Sequence, residues 1–332
     1  MINADRGVNV VRTRVALLVA GALGLTMLTG CGGGAAAGGS GAITLGFAQV
    51  GAESGWRTAN TKSIQDSAKA AGITLKFSDA QQKQANQIQA IRSYIQQHVS
   101  VIAFSPVVET GWDTVLKEAR TANIPVILTD RAIDSTDTTL YKSFLGSDFV
   151  NEGKEAGDWV AKQYASATGP VNIAVLEGTT GSAPANDRSK GFDDVIKTDP
   201  KFKVVASQDG DFTRAQGKQV MESFLKSQSK IDVLFAQNDD MGLGALDAIQ
   251  AAGLTPGKDI KIVTVDGTHD GLQALADGKF NYVVECNPLL GPQLMDLVKK
   301  VAAGQSVPNR ILTKETAFDQ AAAQAALPGR QY

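Results

Sequence analysis

The chain has 332 residues, 43% of them hydrophobic and 20% charged, with a formal net charge of −2 at pH 7. That length suggests about two domains, each large enough to bury a core of its own. A nearly neutral chain lacks the basic surface that nucleic-acid binding needs, so that class of partner is not expected.

The first stretch reads as an address. Arg12 and Arg14 precede an apolar run over residues 15–28. The run is short for a bilayer span, which takes about 20 residues, and fits the apolar region of a secretory signal. A short membrane anchor is the alternative. Leu28-Thr29-Gly30-Cys31 then resembles a bacterial lipobox, which implies cleavage before Cys31 and lipidation of its thiol. Residues 1–30 are therefore expected to be a lipoprotein signal peptide, and stable anchoring follows from more than one acyl chain. Arg6, Arg12 and Arg14 against Asp5 give those thirty residues +2, so the remainder carries −4. Residues 32–41, GGGAAAGGSG, have nothing to bury. They read as a flexible tether reaching roughly 18 Å root-mean-square. With Cys31 lipidated, Cys286 is the one cysteine left. No internal disulfide is then possible, and Cys286 reads as a small buried apolar residue.

From residue 42 onward short β-rich runs alternate with longer helical patterns. Strands are expected at residues 43–48, 73–77, 99–104, 124–129 and 141–145. Residues 49–57 read as a polar loop, and helices as running from there to 71, then over 82–97, 112–120 and 151–165. In the second of these, Ile88, Ile91 and Ile95 recur at spacings of three and four and so share one face. The second half repeats the rhythm, with strands at 171–176, 202–206, 231–236, 260–265 and 282–284. Its helices are expected at 187–197, 215–227, 241–252, 270–276 and 289–303. Gly72 and Gly253 stand where helices stop and a left-handed residue is needed. Such alternation predicts an α/β fold with parallel sheets covered by helices on both faces. A single β/α barrel and a pair of doubly wound lobes both satisfy it, and both place a site at the carboxyl ends of the strands.

The clearest strand end is IPVILTDR, residues 124–131, where an apolar run meets Asp130 and Arg131. A buried strand cannot keep that pair within the sheet, so it belongs at the mouth of a cleft. IKIVTVDG repeats the pattern and ends on Asp266 and Gly267. Other strands end on Gln49, Ser105, Glu177, Asp209, Asn238 with Asp239, and Glu285. Loops are polar in any case, and that accounts for part of this set. The planar polar groups of the rest can make paired hydrogen bonds to neighbouring hydroxyls. With both signs of charge present, a neutral hydroxyl-rich ligand fits better than a phosphate. The loop GAESGWR adds Trp56 as a flat apolar wall, with Glu53 and Arg57 to reach hydroxyls. A core role for Trp56 is the alternative, and its polar neighbours argue against it. Phe212 reads equally as a second wall or as an apolar staple before a helix cap at Thr213. Trp112 reads as packing.

Signatures of catalysis are missing. His98 and His269 are the two histidines, with no HExxH between them, and neither a Walker A loop nor a nucleophile elbow is present. His98 reads as a surface residue closing a helix, whereas His269 stands beside a strand end and within reach of the cleft. Asp130 and Asp266 could in principle serve as acid and base for sugar hydrolysis. A guanidinium alongside would keep them ionised and spoil the acid. No enzyme activity, cofactor or metal is therefore expected.

The motifs GFAQVGAESGWR, SPVVETGWDTVLKEA, IPVILTDRAID, DRSKGF, GDFTRAQGKQVMESF, NDDMGLGALDAI and VDGTHD together resemble a known family. They are similar to the sugar-binding proteins of bacterial ABC importers, of the type I periplasmic-binding fold and the ribose/galactose-binding class. Within that class the resemblance is greatest to the galactofuranose-binding proteins, and it extends from residue 43 to about residue 316. It implies two doubly wound parallel-sheet lobes joined by three hinge crossovers, near residues 144–151, 285–288 and 308–313. The expected lobes are 42–148 with 288–310, and 149–287 with 311–330. It implies a monomeric extracytoplasmic receptor that closes on a monosaccharide, delivers it to an ABC permease and its ATPase, and is held to the membrane through its lipid. Sugar contacts are implied at Glu53, Ser54, Gly55, Trp56, Arg57, Asp130, Arg131, Arg188, Asn238 and Asp266. Phe212 and Glu285 are implied as neighbours. Gln237 stands where that pattern has a histidine, and Cys286 follows Glu285 at a presumed hinge. Repressors of the lac type share this fold, but they begin with a helix-turn-helix where this chain has a signal and lipobox.

Overall fold

The computed structural model describes residues 42–332. The expected signal peptide, Cys31 and the expected tether to residue 41 lie outside the described residues. Among the described residues no helix is long and apolar enough to cross a membrane.

Two six-stranded sheets form, as the doubly wound reading expects and a barrel does not. In the first, β1 (Thr44–Gln49), β2 (Thr74–Asp79), β3 (Val101–Phe104), β4 (Val126–Thr129), β5 (Ser143–Gly146) and β11 (Arg310–Leu312) lie in the order β11-β5-β4-β3-β1-β2. All of its pairings are parallel. The second sheet holds β6 (Val171–Glu177), β7 (Phe202–Asp209), β8 (Val233–Ala236), β9 (Lys261–Asp266), β10 (Tyr282–Glu285) and β12 (Ala317–Phe318). Its order, β12-β10-β9-β8-β6-β7, repeats the first. It departs from the parallel rule at one edge, where β12 runs antiparallel to β10. Each chain path reverses direction across its sheet between β1 and β3, or between β6 and β8. Loops leaving those strand ends diverge and open a crevice.

Apolar runs explain the interior strands. VIAF, VILT and VLFA in β3, β4 and β8 are buried along their whole length, as strands covered on both faces must be. Helices α1 (Gly55–Ala70) and α9 (Gly291–Ala302) cover one face of the first sheet, through Ile64, Leu294 and Val298. Helices α2 (Gln84–Gln96) and α3 (Asp113–Thr121) cover the other, through Ile91, Tyr94 and Leu116. The second sheet is covered by α4 (Phe149–Gln163) and α5 (Ala183–Ile196) on one side. On the other lie α6 (Arg214–Ser227), α7 (Asp239–Ala251), α8 (His269–Ala276) and α10 (Gln320–Ala326).

Two helices start three or more residues earlier than the pattern suggests. Residues 55–57 belong to α1 rather than to a loop, because Ser54 caps the helix by accepting from the Arg57 amide at 3.1 Å. Helix α5 starts at Ala183, four residues early, because Pro184 is tolerated in a first turn that has no use for its missing amide.

The chain passes between sheets three times, at residues 147–148, 286–290 and 313–316. The third passage falls later than the expected 308–313, because Arg310–Leu312 pair with Phe144–Gly146 of the first sheet. The passages meet at one carboxylate. Glu315 Oε1 accepts from Ser147 Oγ, from the Asn287 amide at 3.0 Å and from Thr313 Oγ1 at 2.7 Å.

Helices α4 and α5 touch backbone to backbone. A Cβ at Gly191 would lie 2.0 Å from the carbonyl oxygen of Val150. Gly191→Ala should therefore force the helices apart at a cost of about 1–3 kcal/mol. The expected outcome is a lower urea midpoint with an unchanged slope; an unchanged midpoint would show that the contact is slack.

Candidate functional site

Carboxyl ends of both sheets converge on one small cavity. Ten of the twelve sequence-derived residues line it: Glu53, Ser54, Trp56, Arg57, Asp130, Arg131, Arg188, Phe212, Asn238 and Asp266. Pro184 and Cys286 complete the lining, and the sequence reading marked neither as a contact.

In the first lobe, Arg57 is fully committed. Its Nε donates to Glu53 Oε1 at 2.9 Å, its Nη2 to Asp130 Oδ2 at 2.7 Å and its Nη1 to Gln49 Oε1 at 3.3 Å. Arg131 is looser. Its Nη1 donates to the Val107 carbonyl at 3.2 Å, while Glu53 and Asp130 lie 3.8 and 3.7 Å away. Burial lowers the Arg131 guanidinium to about 10, helped by the like charge of Arg57. Burial by itself would raise Glu53, but Arg57 and Arg131 outweigh it and hold the carboxyl below its ordinary range.

In the second lobe, Arg188 donates through Nε to Glu152 Oε2 and through Nη1 to the Gln237 carbonyl, each at 2.7 Å. Its Nη2 stands 4.0 Å from Asp266 Oδ1. Burial pushes Asp266 well above its ordinary range, against the pull of Arg188. Asp130 and Asp266 both take left-handed backbone, at φ 61 and 126. Such strain persists only where the surroundings enforce it.

Aromatic groups close the ends. Trp56, on a first-lobe helix, inserts into the apolar cluster of the second lobe beside Phe149 and Ala183. Its Nε1 donates to the Cys286 carbonyl at 2.6 Å. Trp56 is thus both a lining residue of the cavity and a member of a core cluster. Phe212 lines the cavity, with the Arg131 guanidinium 5.3 Å from its ring centre, and Thr213 behind it caps α6. Further ties draw the lobes together: the Gly55 amide donates to Asp240 Oδ2 at 2.7 Å and the Glu109 amide to the Gly181 carbonyl at 2.9 Å.

Two sequence-derived contacts fall elsewhere. Gly55 faces Asp240, not the cavity. Glu285 is taken by Arg330 Nη1 at 2.7 Å, Tyr332 Oη at 2.9 Å and the Thr316 amide at 3.2 Å. Its place at a strand end gave no hint of partners so far along the chain. Asn238 lines the cavity with its amide already engaged, capping α7 through Met241 and donating to the Phe212 carbonyl at 3.1 Å. Gln237 lies behind Arg188, bonded to Gly178, Ala185 and Ser189. Its difference from the galactofuranose pattern therefore falls outside the cavity wall. Trp112 packs on Phe104, and His98 and His269 are exposed away from the cavity. Among the other strand-end carboxylates, Asp239 serves Thr264 and Thr268, and Asp209 serves Thr180.

Three lining residues each keep one buried polar atom without a partner: Glu53 Oε2, Arg131 Nε and Asp266 Oδ2. Two accept and one donates. Glu152, Cys286 and Glu315 also bring one ligand atom apiece within 4.8 Å of one another. Burial raises all three groups. Arg188 already occupies Glu152 Oε2, and Glu315 Oε1 is spent on its three donors.

Compared with known proteins, residues 45–306 match the periplasmic binding protein domain. The chain belongs to the periplasmic binding protein family. It is 46% identical over 280 residues to the galactofuranose-binding protein YtfQ of Escherichia coli, covering 83% of this chain and 87% of that protein. A Mycobacterium smegmatis protein in complex with β-D-fucofuranose has 70% identity and a TM-score of 0.86, over 88% of this chain and 96% of that one. The binding component of an arabinose ABC transporter from Shewanella sp. ANA-3, bound to α- and β-L-arabinofuranose, has 47% identity and a TM-score of 0.83. That match covers 87% of this chain and 96% of the other. As a periplasmic binding protein, this chain has the type I fold of two α/β lobes, and the relatives named above are sugar-binding proteins.

Burial raises the Glu152 carboxyl to about 7, against the pull of Arg188. The folded protein thus keeps this proton to higher pH than the unfolded chain. The stability the group contributes is complete below its unfolded value near 4.5 and is lost as pH rises towards 7. Glu152→Gln mimics the protonated form. It should melt like the parent at about pH 5 and above the parent at about pH 8. A melting gap that does not change with pH would refute this.

Proposed function

We propose that this periplasmic binding protein is the sugar-capturing subunit of an ABC importer, that its ligand is a neutral monosaccharide in furanose form, and that the twelve lining residues make the site. The observation that carries this reading is the trio of unpartnered atoms on Glu53, Arg131 and Asp266 around one small cavity. A sugar hydroxyl both donates and accepts, so a polyol meets two acceptors and a donor together. Three guanidinium groups against three carboxylates favour a ligand without charge. Trp56 and Phe212 offer flat apolar faces to the carbon side of a ring. Relatives that bind fucofuranose, galactofuranose and arabinofuranose support the five-membered ring.

Capture proceeds by hinge closure, a mechanism that periplasmic binding proteins exemplify. Sugar enters between the lobes and the three passages flex. The Trp56 indole then seats in the second lobe, completing contacts from both sides. A sugar that lacks a matching hydroxyl leaves a buried polar atom stranded, at about 1–3 kcal/mol each. The closed receptor delivers its sugar to a membrane permease. Lipid on Cys31 and the glycine-rich tether keep the receptor at the outer face of the membrane, where it works as a monomer.

Calorimetric titration with D-fucose, D-galactose and L-arabinose, each of which supplies some furanose in water, tests the assignment. Asp130→Ala and Arg188→Ala should abolish binding, by about 100-fold or more, without unfolding the protein. Trp56→Ala should weaken it about tenfold. Unchanged affinity in the charge variants would refute the site.

A further inference from the structure

The carboxyl end of β9 carries Asp266, and its backbone is strained there. Asp266 sits at φ 126 and Gly267 follows at φ 76. A non-glycine residue in that region costs on the order of 1–3 kcal/mol and holds only where neighbours over-determine it. The principal neighbour is far along the chain. Arg330 Nε donates to the Gly267 carbonyl at 2.5 Å, and its Nη1 pairs with Glu285 Oε1 at 2.7 Å. Tyr332 Oη donates to the same Glu285 oxygen at 2.9 Å, and the Tyr332 carbonyl accepts from the His269 amide at 2.5 Å. Arg330 is itself gripped between rings, 5.2 Å from the centre of Phe318 and 4.0 Å from that of Tyr332. Packing is tight enough that a Cβ at Gly267 would lie 2.6 Å from Arg330 Nη2.

Both partners of Arg330 lead to the cavity. Gly267 is next to Asp266, which has an unpartnered oxygen. Glu285 pairs in register with Asp266 and precedes Cys286, whose carbonyl receives the Trp56 indole. One guanidinium, itself outside the cavity lining, thus ties the β9 turn to the entrance of the second passage. We propose that Arg330 is a positioning residue for ligand capture: it locks the Asp266–Gly267 turn and the Glu285–Cys286 strand end in the geometry that the ligand needs. Glu285 acts in this lock rather than on the sugar. Charge and shape select arginine, because its planar fork serves a carbonyl and a carboxylate together.

The inference rests on the sugar-binding reading, and two measurements keep the two separate. Affinity is measured by calorimetry at a temperature where the parent and each variant are fully folded. There, a residue that merely stabilises the fold leaves Kd unchanged. Arg330→Ala should weaken binding of the parent's best sugar about tenfold, roughly one hydrogen bond to a charged group. Arg330→Lys, which serves one partner at a time, should recover part of the loss. Amide hydrogen exchange at Gly267, Thr268 and Cys286 should quicken about tenfold in Arg330→Ala and not in the first-lobe sheet. If Arg330→Ala does not fold, Glu285→Gln, which keeps the shape and loses the ion pair, should show the same changes at lower amplitude. If the parent binds none of the sugars, the ligand assignment fails and the exchange measurement alone decides the lock. Unchanged affinity with unchanged exchange overturns the proposal, as does faster exchange with an unaltered Kd in a sugar-binding parent.

Discussion

Six acidic and basic side chains face one small cavity, and each of Glu53, Arg57, Asp130, Arg131, Arg188 and Asp266 is buried or nearly so. Taking charges out of water is costly unless every one finds a partner. The structure arranges partners for most of them and leaves a few atoms over. Arg57 uses its whole fork within its own lobe, and Arg188 is held by Glu152 and a backbone carbonyl. What stays open on Glu53, Arg131 and Asp266 is a pattern of hydrogen-bonding need. In the proposed function, recognition follows from that shortfall, because a ligand that completes the pattern removes an energetic penalty and one that does not inherits it.

Such a cavity needs rigid walls and one degree of freedom. Walls come from strands buried on both faces and from helices that meet at glycine. The degree of freedom comes from the three passages, which converge on the Glu315 carboxylate. A single acceptor shared by all three gives them one pivot. Trp56 belongs to the first lobe by sequence and to the apolar core of the second by packing, so the contact between the lobes has the chemistry of a protein interior rather than of a surface patch.

Charge placement around this pivot differs between lobes. In the first, two arginines hold Glu53 down. In the second, burial dominates and pushes Glu152, Asp266 and Cys286 up. An ionised acceptor on one side and a more readily protonated group on the other give the two faces of a ligand different hydrogen-bonding characters. A polyol has the donors and acceptors to meet both.

Most of the strand positions and many of the residues that line the cavity were legible in the sequence. Apolar runs of four to six that end in charge, such as VILT before Asp130 and KIVTV before Asp266, can only be strands that deliver a carboxylate to an edge. Arg188 came from its resemblance to known sugar receptors, not from periodicity, because it lies inside a helix. Pro184 and Cys286 were not marked as contacts, and the partners of Glu285 were not foreseen, because each depends on which segments lie across from it. The edge strand β12, the tail that grips Glu285 and the exact point of the third passage are of the same kind. Sequence by itself determined the local periods, and hence which side chains reach a strand end, since alternation and burial act over a few residues. Tertiary structure alone decided which of those strand ends share one cavity and which polar atoms remain without partners, because that depends on contacts between residues far apart in the chain.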